Sequence, residues 1–242
     1  MKVLTKRLYD KFLFNFLAND RDNAAAIMEA GSGYVVPGIV SDKFESIEAA
    51  AEKVAELKSV TELVSIGLGG GGDTTNWKKV LDIAVASIPG HINQPFETSP
   101  YAKGYLEGKN IPKQLVNALV QPTGEVGTIK MANSGKFIRV EDFIEIAVAL
   151  GIESIKMMPI KGTQHLEELI YLTKIAAKRG IRGIEPAGGI DASNIKDIIA
   201  GVKDIDIELF MPHIFGSTID KETEATIPSK VREIISEVKG AL

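Results

Sequence analysis

The chain has no cysteine, and only three histidines and one tryptophan among its 242 residues. Without cysteine it forms no disulfide, no thiolate metal site and no cysteine nucleophile. Three histidines are too few for a histidine-rich metal cluster, although a single imidazole can still act in catalysis. No apolar run approaches the roughly 20 residues that a membrane-spanning helix needs. We therefore expect no bound metal and no membrane span.

Neither sign of charge dominates, since 28 basic and 32 acidic residues give a net charge of −4. This balance argues against a broad nucleic-acid-binding face. Residues 12–18 are apolar and follow basic residues, as in a signal peptide, but Asn15 interrupts them and a small-residue cleavage pattern is lacking. We therefore expect a cytoplasmic protein with neither nucleic acid nor membrane as a partner.

Short β-rich runs alternate with amphipathic helical stretches along the chain. The strands are predicted at residues 12–17, 34–39, 63–67, 91–94, 115–120, 154–158, 183–186 and 208–211. Steady alternation of strand and helix indicates a parallel sheet with helices outside it. Eight units in about 240 residues favour a (β/α)8 TIM barrel over an open sheet. We therefore expect one α/β barrel domain that spans residues 1–242.

Apolar stripes at helical spacing predict six helices between these strands. The residues expected to begin or end them are Ser46, Asp73, Asp191 or Ser193, Pro228, Gly151, Gly180 and Gly201. Residues 122–136 are rich in glycine and polar side chains, and they follow the fifth strand. They are predicted to form an enlarged loop at the catalytic end of the barrel.

Lys156 lies within the predicted sixth strand, in the segment Ser154-Ile155-Lys156-Met157-Met158-Pro159. A lysine in a strand that is packed on both faces meets a large desolvation cost. Burial lowers the pKa of an amine and makes it nucleophilic towards a carbonyl group. A lysine at a strand end that reaches solvent or pairs with an acid remains the alternative on spacing alone.

Glycines follow the seventh and eighth strands, in Glu185-Pro186-Ala187-Gly188-Gly189-Ile190-Asp191 and in Phe215-Gly216-Ser217-Thr218. In TIM barrels these two loops commonly form the phosphate site, next to free N–H groups of a helix amino terminus. By contrast, Gly67-Leu68-Gly69-Gly70-Gly71-Gly72 is a poor dinucleotide fingerprint, because no acidic residue ends the next strand. This third loop is predicted to shape the floor of the active site.

Polar residues also lie at several predicted strand ends. His91 and Asn93 share one face of the fourth strand by the period of two, Asn117 occupies the fifth strand, and His213 ends the eighth. Such groups converge on the barrel mouth, where they suit substrate binding or proton transfer. His165, which opens an outer helix, is expected to be solvated.

Taken together, these motifs resemble the KDGP aldolase family of glucosaminate breakdown, a divergent branch of the 2-keto-3-deoxy-6-phosphogluconate (KDPG) aldolases. The resemblance extends from Asn15 to about Val231. Its motifs are Gly67-Leu68-Gly69, His91-Ile92-Asn93-Gln94, Pro122-Thr123-Gly124, Lys156 to Gly162, Glu185 to Asp191 and Pro212 to Asp220. It implies a barrel fold, a class I (Schiff-base) mechanism with a lysine on the sixth strand, and no cofactor.

The resemblance assigns Lys156 as the imine-forming lysine, and Gly188, Gly189 and Ser217 as phosphate-binding residues. The expected substrate-binding residues beside these are Asn93, Asn117, Thr123 and His213. The chain departs from the family at Ala187, where threonine is usual. Ordinary KDPG aldolases move protons with a glutamate on the second strand, and residues 34–39 contain no acid here.

Glu185 is therefore the first candidate for proton transfer, and His91 is the second. Glu185 lies two residues before Ala187, so both side chains point to the same face of the seventh strand, next to the sixth. Pairing of Glu185 with Lys156 or with a backbone group is the structural alternative.

The expected reaction is cleavage of 2-dehydro-3-deoxy-6-phosphogluconate to pyruvate and glyceraldehyde 3-phosphate. The expected partners are a phosphorylated 2-keto-3-deoxy sugar acid, pyruvate and further copies of the chain in a homo-oligomer. A 4-hydroxy-2-oxoglutarate aldolase, a metal-dependent sugar-phosphate epimerase and a non-catalytic sugar-phosphate-binding barrel remain alternatives. The cluster of histidines and acids that an epimerase needs is not evident in the sequence.

Overall fold

Eight parallel strands form a closed barrel in the computed structural model, which describes residues 4–242. In barrel order they are β1 (Phe14–Leu17), β2 (Val35–Val40), β3 (Val64–Gly67), β4 (Gly90–Pro95), β5 (Leu115–Pro122), β8 (Ser154–Met157), β9 (Gly183–Pro186) and β10 (Leu209–Phe210). The first and last strands are joined by the bonds from Asn15 N to Pro212 O and from Ile214 N to Asn15 O. The predicted (β/α)8 fold is confirmed.

Eight helices cover the outside of this barrel in the described part of the chain. They are α1 (Arg21–Ala30), α2 (Ile47–Lys58), α3 (Trp77–Ser87), α4 (Ser99–Gly108), α5 (Val140–Ala149), α6 (Leu166–Lys178), α7 (Ile195–Val202) and α8 (Pro228–Ala241). Their apolar faces pack on the strands and form the main core. None of them, over residues 4–242, is both long and apolar enough to cross a membrane.

The helix boundaries follow the expected capping residues in one case and depart from them in another. Ser46 caps α2, because its side chain accepts a hydrogen bond from Ala49 N. Neither Asp191 nor Ser193 caps α7, which begins after Asn194 and continues through Gly201 to Val202. The carboxylate of Asp191 instead accepts bonds from the backbone N–H and hydroxyl of Ser193, which closes a local turn.

The interior of the barrel is layered, because alternate residues of each strand point inwards. The lower layer, towards the amino ends of the strands, is apolar and consists of Leu13, Val36, Leu209 and Met211, packed against Leu63 and Leu115. The layer above it, here called the polar layer, consists of Asn15, Ser65, His91, Asn93, Asn117, Ser154, Glu185 and His213. Each residue of the polar layer is at most 2% exposed. Buried polar groups are costly without partners, so this layer marks the candidate site.

Two inward-facing glycines make room for the polar layer. A Cβ atom on Gly183 would lie 2.6 Å from Ser154 Oγ, and one on Gly38 would lie 3.0 Å from Asn15 Nδ2. Any larger residue at these positions would push polar side chains out of place.

The segment predicted as an enlarged loop contains a β-hairpin, so the loop prediction was wrong in part. Its strands β6 (Thr128–Met131) and β7 (Phe137–Arg139) pair antiparallel, and β6 pairs antiparallel with the end of β5. At the hairpin tip, Asn133 N and Ser134 N donate to Glu97 Oε1, which follows β4. The hairpin therefore lies at the carboxyl ends of the strands, as expected for a functional loop.

Candidate active site

Lys156 points into the barrel from β8 and is 5% exposed. Its Nζ lies 2.7 Å from Asn93 Oδ1 and 3.2 Å from His213 Nδ1. Burial lowers the pKa of this lysine to about 8, although the charge of Glu185 acts in the opposite direction. At pH 7 about a tenth of the amine is therefore uncharged, far more than for an ordinary lysine, and the uncharged form is the one that a nucleophile requires.

Glu185 lies beside Lys156 in the register of β8 and β9, at the centre of the polar layer. Four donors surround its carboxylate. Oε2 accepts from His213 Nε2 at 2.8 Å, His91 Nε2 at 3.0 Å and Asn117 Nδ2 at 2.7 Å, and Oε1 accepts from Ser154 Oγ at 2.6 Å. A buried carboxylate with four donors is well compensated for the water that it loses.

The surroundings of Glu185 keep it ionised. Burial raises its pKa, but the electrostatic effect of the neighbouring His91 imidazole and the hydrogen bonds from His213 and His91 lower it more, to well below the usual range. No direct ion pair joins Glu185 to Lys156 within 4 Å in the described chain, so the alternative in which the two pair directly is wrong. Their link runs through His213, which contacts both.

The remaining members of the polar layer hold these groups in place. Asn117 donates to Asn93 Oδ1 at 2.9 Å as well as to Glu185, and Asn93 Nδ2 donates to Ile66 O at 2.8 Å. Ser65 Oγ lies 2.8 Å from His91 Nδ1. The network therefore continues without interruption from Lys156 to Ser65.

A cavity of about 240 Å³ opens beside Lys156 at the carboxyl ends of the strands. It is lined by the loop Gly67–Gly72 together with Val40, Asp42, Lys43, Asn93, Leu119, Lys156, Met158 and Phe215. Gly72 has a φ of +94°, and a Cβ atom there would lie 2.2 Å from the end of the Met158 side chain. The glycine-rich loop thus forms one wall of the pocket, close to the role that the sequence predicted.

Gly188 and Gly189, expected to bind phosphate, both have positive φ, at +95° and +74°. A Cβ atom on Gly188 would lie 2.8 Å from Pro159 Cβ, and one on Gly189 would lie 2.7 Å from Gly162 N. Glycine is therefore required here for packing against the loop after β8. Over residues 4–242, the N–H groups of these two glycines have no protein acceptor, so they remain free for an anion.

Ser217, the third expected phosphate residue, lies across a cavity of about 250 Å³ from the segment that precedes α7. Its hydroxyl donates to Ile190 O at 2.9 Å, and Lys230 Nζ donates to Ser217 O at 2.7 Å. Lys230 brings a positive charge to this cavity.

Thr123, expected to bind substrate, does not line the lysine pocket. Its N–H donates to Glu168 Oε2 at 2.8 Å, and its hydroxyl donates to backbone oxygens of its own turn. His165 is not solvated as expected, because its Nδ1 lies 2.6 Å from Glu168 Oε1 and the ring is 9% exposed. Thr123 and His165 thus belong to a turn anchored by Glu168.

His91, Glu185 and His213 form a compact group whose ligand-type atoms all lie within 4.8 Å of one another. The sequence did not make this cluster evident, because the three residues come from strands far apart in the chain. Two imidazoles and a carboxylate are a donor set that zinc accepts. Here, however, Oε2 of Glu185 already accepts from both Nε2 atoms and from Asn117, so an ion would have to displace three hydrogen bonds. The group fits a hydrogen-bonded network better than a metal site.

Ser65 and Ser154 were not among the residues singled out from the sequence. Ser154 lies two residues before Lys156, and Ser65 lies two residues before Gly67. The period of two along a strand was therefore the signal that could have found both.

Known proteins that resemble this chain include both sequence relatives and solved structures. A family model described as KDGP aldolase matches residues 8–222. The 2-dehydro-3-deoxy-phosphogluconate aldolase of Salmonella typhimurium (strain 14028s) is 33% identical over 233 residues, which cover 93% of this chain and 94% of the relative.

Two solved structures share the fold at low identity. Thiamine phosphate pyrophosphorylase from Pyrococcus furiosus matches with a TM-score of 0.61 at 14% identity, over 96% of this chain and 98% of that one. A 3-hexulose-6-phosphate synthase matches with a TM-score of 0.53 at 11% identity, over 98% and 100%. Identities this low support the shared barrel fold and carry no argument about activity.

Proposed function

This chain belongs to the KDGP aldolase family, and we propose that it is a class I aldolase that cleaves 2-dehydro-3-deoxy-6-phosphogluconate to pyruvate and glyceraldehyde 3-phosphate. The name of the Salmonella relative supports this substrate. The observation that carries the mechanism is Lys156, a buried amine with a pKa of about 8 at the wall of an open pocket. Burial costs this lysine solvation, and the nearby charge of Glu185 offsets that cost only in part.

In the proposed reaction, the neutral amine of Lys156 attacks the C2 carbonyl of the substrate, and the carbinolamine loses water to give a protonated imine. The C4 hydroxyl then gives up its proton to a base, and the C3–C4 bond breaks as its electrons move towards the imine; the proton lost here is balanced by the one that C3 takes up later. Glyceraldehyde 3-phosphate leaves. The remaining enamine takes a proton at C3, and water hydrolyses the imine to release pyruvate and the free lysine.

The proposed roles of the surrounding residues follow from their contacts. Asn93 touches the lysine amine and lines the pocket, which suits it to contact the substrate as well. Glu185 and His91 have no contact with the pocket and act from behind the lysine, through His213.

The phosphate group is proposed to bind at the loops after β9 and β10. The free N–H groups of Gly188 and Gly189 and the start of α7 offer donors in the segment after β9, and the ammonium of Lys230 lies beside Ser217. The existing bond from the Ser217 hydroxyl to Ile190 O would have to open or be shared. A substrate without a phosphate group would not require this change, so 4-hydroxy-2-oxoglutarate is tested beside the main substrate.

The test is borohydride reduction of the full chain in saturating pyruvate, followed by intact mass and peptide mapping. Wild type is compared with Lys156→Met and with Lys113→Met, a control at an exposed lysine at the amino end of β5. A reduced pyruvyl adduct on Lys156, absent from Lys156→Met and retained in Lys113→Met, is the expected result.

Other outcomes would change the assignment in defined ways. An adduct on a different lysine would overturn Lys156 as the nucleophile. Folded protein without any adduct would overturn the class I mechanism, and tight sugar-phosphate binding without turnover would then favour a binding protein. Cleavage of 4-hydroxy-2-oxoglutarate in preference to the phosphorylated sugar acid would overturn the substrate.

A further inference from the structure

The amine of Lys156 is held by two acceptors on the inner side of the barrel. One is Asn93 Oδ1 at 2.7 Å and the other is His213 Nδ1 at 3.2 Å. The Asn93 oxygen is fixed as the acceptor, because the nitrogen of the same amide donates to Ile66 O. A neutral primary amine has two N–H bonds and one lone pair. If both N–H bonds point inwards, the lone pair points to the side that remains, which is the pocket.

Whether His213 can accept from the lysine depends on which ring nitrogen carries the hydrogen. Burial and the charge of Lys156 lower the pKa of His213 to about 3, against the effect of Glu185, so the ring is neutral and carries one N–H. The Nε2 atom faces Glu185 Oε2 at 2.8 Å. An ionised carboxylate can only accept, so Nε2 must be the atom with the hydrogen, and Nδ1 keeps its lone pair.

His91 is arranged in the same way on the other side of the carboxylate. Its Nε2 faces Glu185 Oε2 at 3.0 Å, and its Nδ1 lies 2.8 Å from the Ser65 hydroxyl, which can supply a hydrogen. The titratable groups that face His213 are Glu185 from β9, Lys156 from β8 and His91 from β4, and Phe215 of its own segment packs against the ring. For His213 these contacts are consistent with a single hydrogen placement, at Nε2.

We propose that Glu185 and His213 are positioning residues that aim the lone pair of the Lys156 amine into the pocket. Glu185 accepts a hydrogen bond from the Nε2–H of His213, so His213 Nδ1 remains an acceptor for the lysine. This arrangement sets the direction from which the amine attacks the substrate carbonyl. The kinetic part of this inference rests on the proposed function. The hydrogen placement itself does not, because it can be measured without any substrate.

The first experiment measures the tautomers of the three histidines by nitrogen NMR of the full chain, with ¹⁵N-labelled histidine. His213 is expected to be neutral and protonated at Nε2, His91 is expected to carry hydrogen at Nε2, and His165, in a separate turn, serves as an internal reference. Assignments come from His91→Gln and His165→Gln. A His213 ring that is protonated at Nδ1, or at both nitrogens, would overturn the proposal.

The second experiment compares two variants that each remove one contact of the same carboxylate. In Glu185→Gln the side-chain amide can donate to His213 Nε2, which favours the tautomer with hydrogen at Nδ1. That Nδ1–H would then donate to the lone pair of the Lys156 amine and hold it away from the substrate. Imine formation with pyruvate should slow by a factor on the order of 10²–10⁴, as expected for a wrong tautomer in a catalytic relay, with pyruvate binding retained. Ser154→Ala removes a donor from Oε1 but leaves the tautomer, and should slow the reaction less than about tenfold.

Equal losses in the two variants, or an unchanged tautomer in Glu185→Gln, would overturn the proposal in favour of general disruption of the network. If Glu185→Gln does not fold, Glu185→Asp keeps an acceptor-only group and should keep the wild-type tautomer. The expected tautomers without a pyruvyl adduct on Lys156 would contradict the proposed function alone, so the two failures can be told apart.

Discussion

The lower layer and the polar layer of the barrel interior are built from the same alternation of inward-facing residues, yet different forces stabilise them. The lower layer buries apolar side chains such as Leu13 and Met211, which gain free energy simply by leaving water. The polar layer gains nothing from burial and depends on hydrogen bonds between its members. The lower layer therefore contributes most to stability, whereas the polar layer surrounds a reactive amine that is costly to bury.

The first way to test this comparison is to remove volume from the lower layer. Met211→Ala should lower the free energy of unfolding by about 2–5 kcal/mol, because Met211 is 1% exposed and leaves a cavity in a packed layer. Urea denaturation measures the change, and pyruvate trapping on the remaining folded protein should be close to that of wild type. A large loss of trapping without a loss of stability would mean that the layers are not separate in function.

The second test concerns the cost of burying Lys156. Its pKa falls from 10.5 in the unfolded chain to about 8 in the folded one, so the unfolded state binds more protons between these values. Wild-type stability should therefore rise with pH across this window relative to Lys156→Met, by about 3 kcal/mol in total. Below about pH 8 the full cost remains and the difference between the two proteins is constant.

Urea denaturation of both proteins at several pH values between 7 and 10 measures this difference. The difference in free energy of unfolding between wild type and Lys156→Met contains no contribution from the other lysines, because both proteins have them. Parallel stability curves over the whole range would show that the amine is not desolvated in the folded protein, and would remove the physical basis for its reactivity.

Much of the fold could be predicted from the sequence because barrel strands are local patterns of apolar residues. The alternation of eight strands with helices gave the architecture, and the lysine within 154–158 was conspicuous because a charge is costly in a buried strand. The helices α1 and α4 were not named, and α4 contains two glycines and few buried apolar residues. The hairpin strands β6 and β7 have three or four residues each, too short for the period of two to show.

The polar layer could be predicted only in part, since its members come from seven of the barrel strands or the segments that follow them. The period of two placed Glu185 on the face towards Lys156, but it did not show that His91 and His213 would donate to the same oxygen. That contact depends on the closure of the barrel and on inward glycines such as Gly183. Such contacts are set by three-dimensional register, which one sequence does not encode in any local pattern.

The smallest expected effect lies at the amino end of the barrel, where a second carboxylate with a lowered pKa contrasts with Glu185. Two hydrogen bonds from Arg182, at 2.6 and 2.7 Å, and the charge of Arg182 lower the pKa of Glu208 to about 2. The two side chains are 51% and 43% exposed, so solvent screens the pair.

Because the folded pKa of Glu208 is depressed, the stabilisation is present above pH 4.5 and lost as pH falls towards 2. Glu208→Gln should therefore cost less than about 1 kcal/mol at neutral pH, and its stability should converge with that of wild type near pH 2. Urea denaturation from pH 7 to pH 2 checks this, and a difference that does not change with pH would mean that Glu208 contributes through packing and not through its charge.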